Sequence, residues 1–175
     1  MLRIRPYKPA DAESLLSWLQ EERTVAYWKA DRFTWPVTIE QLEQYYHDFE
    51  KDGNAAAFTA LDEQGKAAGH FSLRRIDWEE NRAHMGFIIV DPASRGRGYG
   101  RQMVHQALQY AFSILGLSAV TLGVYDCNEP ARRLYESEGF RQICRPGFEP
   151  FQTVFHGETW NYYYMEAETR GGSAG

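Results

Sequence analysis

The run Asp91-Pro92-Ala93-Ser94-Arg95-Gly96-Arg97-Gly98-Tyr99-Gly100 stands out for what its residues could hold. Glycines at 96, 98 and 100 sit just before a strongly amphipathic helix pattern. Glycine lets a backbone approach a ligand closely and take conformations that side chains resist. The first N–H groups of a helix have no partner within it, and the helix dipole favours negative charge there. Arg95, Arg97 and Arg101 add positive side chains, so the junction suits a diphosphate. A P-loop would end in Gly-Lys-Ser/Thr, which is absent. A dinucleotide fingerprint would read G-x-G-x-x-G early in a βαβ unit. Here the spacing is G-x-G-x-G, and it follows three strand-like segments.

A second segment sharpens the reading: Asn128-Glu129-Pro130-Ala131-Arg132-Arg133-Leu134-Tyr135-Glu136-Ser137-Glu138-Gly139-Phe140. Arg95 to Gly100, after the strand Gly86 to Val90, resembles the R/Q-x-x-G-x-G/A pyrophosphate loop of the GNAT superfamily of acyl-CoA N-acyltransferases. The second segment resembles that family's N-x-x-A-x-x-L-Y-x-x-x-G-F motif. The likeness spans about residues 2 to 166, with motifs over 86 to 140, and its flavour is that of the ribosomal-protein-alanine and small-amine acetyltransferases. It implies an α/β fold with a mixed central sheet, splayed central strands and flanking helices. It also implies acetyl-CoA as cosubstrate, no metal, and direct transfer to a primary amine in a ternary complex.

The resemblance assigns roles residue by residue. Backbone groups of Ile88 and Val90 would bond the pantetheine amides, with Phe87 nearby. Amides of Arg95, Gly96, Arg97, Gly98, Tyr99 and Gly100 would hold the pyrophosphate, with Arg101 at the helix start. Asn128 matches the asparagine that contacts the pantetheine arm, and it is equally a helix cap. Tyr135 matches the general acid that protonates the departing thiolate, its alternative being plain core. For the base, His84 stands where relatives often carry glutamate in a Glu-x-Gly strand, and imidazole titrates near neutrality. Glu79 and Glu80 read as turn residues, and His70 as structural.

Substrate contact is expected from Trp28 and Trp35, in an aromatic stretch with Tyr27 and Phe33, through cation–π attraction. Trp160, Tyr162 and Tyr164 give the last strand an aromatic face, which either lines the pocket, covers the sheet or forms a homodimer contact. Asp31 and Glu149 are acids that an amine could meet. Cys127 has no patterned histidine partner, so a ping-pong route is disfavoured, and Cys144 is expected to be buried.

These residues need a scaffold, and the patterning supplies one. A strand is expected over Leu2 to Arg5, then a helix opened by Asp11 and carrying Leu15, Leu16 and Leu19. Tyr27 to Pro36 reads as irregular. Thr38 with Gln41 forms a capping-box pattern for a helix to about Lys51. Strands follow over Ala55 to Leu61, Ala67 to Ile76 and Arg82 to Val90, the last nearly continuous in apolar residues, as for a strand covered on both faces. A helix from Tyr99 to Leu115, a strand from Ala119 to Tyr125 and a helix from Glu129 to Glu138 come next, with Gly139 as its stop. Strands are expected near Phe140 to Cys144 and over Thr159 to Glu166, with Pro146 to Gly157 as a loop.

Length and composition bound the rest. The 175 residues fit one domain, read as residues 1–170 with 171–175 as a disordered tail. A net charge of −5 argues against a nucleic-acid binder, which needs a basic surface. The apolar runs are too short for a membrane span, and two cysteines form no disulfide framework. A cytoplasmic enzyme acting on a small-molecule amine or a protein N-terminus is the expectation. The alternatives are a transferase using a longer acyl-CoA and an inactive coenzyme A-binding sensor or scaffold.

Overall fold

The computed structural model describes residues 1–28 and 32–169, so the expectations for Asp31 and for the tail lie outside the described residues. The fold is mixed α/β with mostly antiparallel strands, and it divides into two compact units. The first holds Met1–Arg75 and Met85–Met103; the second holds Ile76–His84 and the chain from Val104 onward.

In the first unit, β1 (Arg3–Pro6), β2 (Ala56–Leu61), β3 (Ala67–Asp77, as far as Arg75) and β4 (Arg82–Val90, from Met85) lie side by side in that order. β1 pairs antiparallel with β2, placing Arg3 opposite Leu61. β2 and β3 form the expected hairpin, with Phe58 opposite Phe71 and their rings stacked at 4.9 Å. Its turn is tied by Asp62, whose carboxylate accepts from the backbone of Gln64 and Lys66. The helices are α1 (Ala12–Trp18), α2 (Glu22–Trp28), α3 (Ile39–Lys51) and the first turn of α4 (Tyr99–Gln109).

Three helix expectations need correcting or refining. Asp11 opens α1 from its N-cap position, as expected, but its side chain makes no capping hydrogen bond. Its carboxylate instead forms a bidentate pair with Arg5 at 2.7 Å and accepts the Thr59 hydroxyl, tying the helix entry to β1 and β2. Tyr27 and Trp28, expected in irregular chain, end a second helix. The capping box of α3 is half made: Thr38 Oγ1 accepts from Gln41 N at 3.3 Å, while the Gln41 carboxamide turns to Thr34 and Pro36.

The helices bury one aromatic core against β4, built from Trp18, Trp28, Phe33, Tyr45 and Phe87 with Leu15, Leu19 and Leu42. His70 is sealed in this layer, its Nε2 2.8 Å from the Tyr45 hydroxyl. Burial lowers its pKa to about 3, so it stays neutral and structural, as expected.

The second unit contains the rest of α4, β5 (Ala119–Tyr125), α5 (Glu129–Ser137), β6 (Arg141–Ile143), β7 (Phe151–Phe155) and β8 (Glu158–Glu168). The helix expected to reach Leu115 leaves α-geometry at Gln109 and continues as a π-turn, Tyr110–Ile114. Arg82–His84 of β4 pair in parallel with Ala119–Thr121, and β5 pairs antiparallel with β8. β8 also carries β6 beside Tyr164–Glu166 and β7 beside Glu158–Tyr162.

β7 overturns the loop expected over Pro146 to Gly157. It turns into β8 through His156 and Gly157, both at positive φ (46° and 81°), the two-residue turn that matches strand twist. The β8 aromatics pack on this hairpin: Phe155 stacks on Trp160 at 4.6 Å and Phe151 on Tyr162 at 4.7 Å. The Tyr162 phenol fills the space left by the missing side chain of Gly123. Cys144, expected to be buried, is exposed, because β6 ends before it at the rim of the unit.

Candidate active site

The loop leaving β4 is anchored at its first residue. Asp91 is buried, its backbone N–H donates to the Ala68 carbonyl at 2.9 Å, and its carboxylate accepts from Ala93 N at 3.0 Å. Past this anchor the chain is exposed from Arg95 to Gly98. Gly96 and Gly98 stand at φ 78° and 73°, in the left-handed region where a side chain is strained. That geometry takes the backbone out of ordinary pairing. The N–H groups of Gly96, Arg97, Gly98, Tyr99 and Gly100 donate to no acceptor among the described residues. Arg95 and Arg97 form no ion pair among them either. A row of free donors running into the start of α4, flanked by two unpaired guanidiniums, is built to receive phosphate oxygens. The residues therefore fit the diphosphate of coenzyme A.

Upstream in β4, Ile88 and Val90 are half-exposed while Phe87 and Ile89 turn into the core. Phe87 stands at φ 50°, a left-handed kink inside a strand that a bulky residue adopts only when its surroundings impose it. Trp28 packs against this residue, edge-on to the Phe87 ring at 5.2 Å. Trp28 itself is only 4% exposed, whereas Trp35 is 43% exposed. Of the two tryptophans expected to contact substrate, one is thus core and the other is presented to solvent.

The first unit also holds a cleft of about 370 Å³ that the sequence did not reveal. Arg32, Asp48, Asp52, Arg74, Arg75 and Phe87 are among its walls. These residues come from α3 and the chain on either side of it, from β3 and from β4, and no local spacing links them.

Asn128, Tyr135 and His84 belong to the second unit. Asn128 occupies the N-cap position of α5, yet its side chain makes no capping hydrogen bond, so the carboxamide is not consumed by the helix. Tyr135 is 7% exposed and its ring meets Phe140 edge-on at 5.9 Å. The helix stop fixes it in place. The Phe140 N–H donates to the Tyr135 carbonyl at 3.0 Å and the Gly139 N–H to Glu136 at 3.1 Å, with Gly139 at φ 98°. This is the paired C-terminal closure of a Schellman motif. Burial, and secondarily Tyr162, push the Tyr135 phenol pKa well upward, so it stays protonated.

His84 is 7% exposed, its Nδ1 3.0 Å from Thr121 Oγ1. Thr121 Oγ1 also lies 3.4 Å from the Ala83 carbonyl, so the hydroxyl links the imidazole to its own strand. Glu79 and Glu80 take their turn roles, their N–H groups donating to Asp77. Glu149 is exposed and accepts from Gly147 N, and Cys127 is exposed.

Comparisons with known proteins bear on the family and the fold. Residues 1–141 match the family described as acetyltransferase (GNAT) domain. The spermidine N(1)-acetyltransferase of Vibrio cholerae is 27% identical over 139 residues, covering 79% of this chain and 78% of the relative. Human alpha/beta-tubulin-N-acetyltransferase 9 is 26% identical over 120 residues, covering 62% and 58%. Among solved structures, the K23-Q34 chimera of Vibrio cholerae spermidine N-acetyltransferase SpeG and hSSAT has a TM-score of 0.80 at 25% identity, over 95% of each chain. The Vibrio cholerae enzyme in complex with CoA and spermine reaches 0.82 at 24% identity over 95% of each, a likeness of fold. On its loop, its Asn-to-Phe segment and this match over most of its length, the chain belongs to the GNAT acetyltransferases and is an N-acetyltransferase.

Proposed function

We propose that this N-acetyltransferase moves the acetyl group of acetyl-CoA onto a primary amine, of a small molecule or a protein N-terminus, by direct attack in a ternary complex. The observation that carries the reading is the row of unpaired N–H groups from Gly96 to Gly100 beside Arg95 and Arg97. Arg101 extends the same positive surface at the start of α4. Ile88 and Val90 offer their backbone to the pantetheine arm, Phe87 lies at its reacting end, and Asn128 contributes the carboxamide that capping leaves unused. Trp35 meets the acceptor, and Trp28 braces Phe87 from behind.

The bookkeeping of the transfer is simple. The ammonium form of the acceptor first loses a proton to solvent. The amine lone pair then forms a C–N bond to the acetyl carbonyl, and the C–S bond breaks. His84 Nε2 takes the second amine proton. Tyr135 gives its phenolic proton to the departing sulfur, leaving coenzyme A as the thiol, and is reprotonated from solvent. A pKa raised by burial suits that task, since the phenol is held in its donor form.

Calorimetric titration with acetyl-CoA, paired with thiol release across a panel of primary amines, tests the reading. Stoichiometric binding with amine-dependent thiol release is expected. A folded protein that binds no acetyl-CoA would overturn it.

A further inference from the structure

The cleft against Phe87 differs from what a polyamine would need, and from it we infer that the acceptor is a small amine that also carries a carboxylate. Three guanidiniums, from Arg32, Arg74 and Arg75, face two carboxylates, Asp48 and Asp52. Both acids already serve the protein. Asp48 pairs with Arg32 and accepts from Gln44 at 2.7 Å, and Asp52 accepts from Asn54 N at 2.8 Å. Arg32 and Asp48 offset each other, and Arg74 and Arg75 outnumber Asp52, so the walls lean positive, which disfavours a polycation and attracts an anion.

The arginines are also held in place. Arg74 lies over the Phe87 ring, its guanidinium carbon 4.8 Å from the centroid. It reaches β4 because position 86 is glycine: a Cβ there would stand 3.2 Å from Arg74 Nε. Arg32 is braced over the Tyr45 ring at 5.4 Å. Successive residues of a strand point to opposite faces, yet Arg74 and Arg75 line the same cleft. Arg75 stands at φ 50°, and that left-handed residue breaks the alternation. It is exposed and forms no hydrogen bond or ion pair among the described residues. A guanidinium fork of this kind is matched to a carboxylate. The inference rests on the reading that Phe87 marks the reacting end of the pantetheine arm.

Thiol release is measured with matched acceptors, L-methionine against L-methioninamide, β-alanine against β-alaninamide and glycylglycine against its amide, with spermidine alongside. At least one carboxylate should exceed its amide in kcat/KM by about tenfold or more, the size of one charge-assisted contact. Arg75→Glu should abolish that preference by raising KM for the acid, with acetyl-CoA affinity unchanged as the check that the variant folds. Preference for spermidine or for the amides, no turnover of any carboxylate, or an unaltered preference in Arg75→Glu would each overturn the inference. Wild-type protein that fails to bind acetyl-CoA would instead overturn the cofactor reading beneath it, and the inference with it.

Discussion

The two units hold their functional groups by opposite physical means. In the first, the groups proposed to meet ligand are exposed and kept without partners among the described residues: backbone N–H groups at left-handed glycines, and guanidiniums at 75, 95 and 97. In the second, the reactive candidates are buried and individually fixed, His84 by Thr121 and Tyr135 by the closure of its own helix. Unpaired, solvated donors give up little when a phosphate or carboxylate arrives. A buried phenol gains a fixed direction and stays protonated, and a buried imidazole gains a fixed direction. The first arrangement suits recognition and the second suits proton transfer, so substitutions in the two units should fall on different constants.

The largest effect is expected from Gly98→Asp. It puts a Cβ on a residue at φ 73° and a negative charge where phosphate belongs. Acetyl-CoA affinity should fall by about a hundredfold or more, read by calorimetry, in a variant that still unfolds cooperatively although the strain lowers its stability. An intact affinity would break the comparison on its recognition side.

Tyr135→Phe comes next. Loss of a positioned acid should lower kcat by about a hundredfold while acetyl-CoA binding stays intact. The wild-type profile should also show no falling limb up to about pH 10, since burial raises this phenol above its ordinary value. A variant that lost cofactor affinity and kept its kcat would reverse the two units' roles.

His84→Ala sharpens the comparison further. It should flatten the rising limb of the pH–rate profile and lower kcat by about tenfold. An unchanged limb would assign the base elsewhere. The smallest effect is expected from Gly139→Ala, which strains a residue at φ 98° and should cost about 1–2 kcal/mol in denaturant unfolding. Its kcat should fall more than its acetyl-CoA affinity if the helix stop aims Tyr135.

What the sequence disclosed follows the same division between local and distant causes. The β2 to β5 strands were legible because alternation and apolar runs are local signals, and β4 and β5 fall on the expected residues. The loop was legible because a diphosphate is held by glycines that must be contiguous. β7 was not, since Pro146, Gly147 and Pro150 speak for loop and masked the short alternating run that follows. The His-Gly pair at 156 and 157, read as a turn between two alternating runs, would have found it. The cleft could not be read at all. Arg32, Arg74 and Phe87 are brought together only by packing, and the reversal at Arg75 is a backbone angle that an arginine codon does not announce.

The closure at the end of α5 has a consequence for how this chain can vary in length. Because the Tyr135 carbonyl receives the Phe140 N–H, exactly four residues can stand between them. One residue inserted there would move the Phe140 N–H out of register with the Tyr135 carbonyl and undo the closure. Deletion would do the same in the other sense. The β7–β8 turn is held to its two residues by a different cause, the pairing of Phe155 with Glu158 across it. Length changes should therefore be absent from 135–140 in active variants, however freely the residue types between those two aromatics are exchanged.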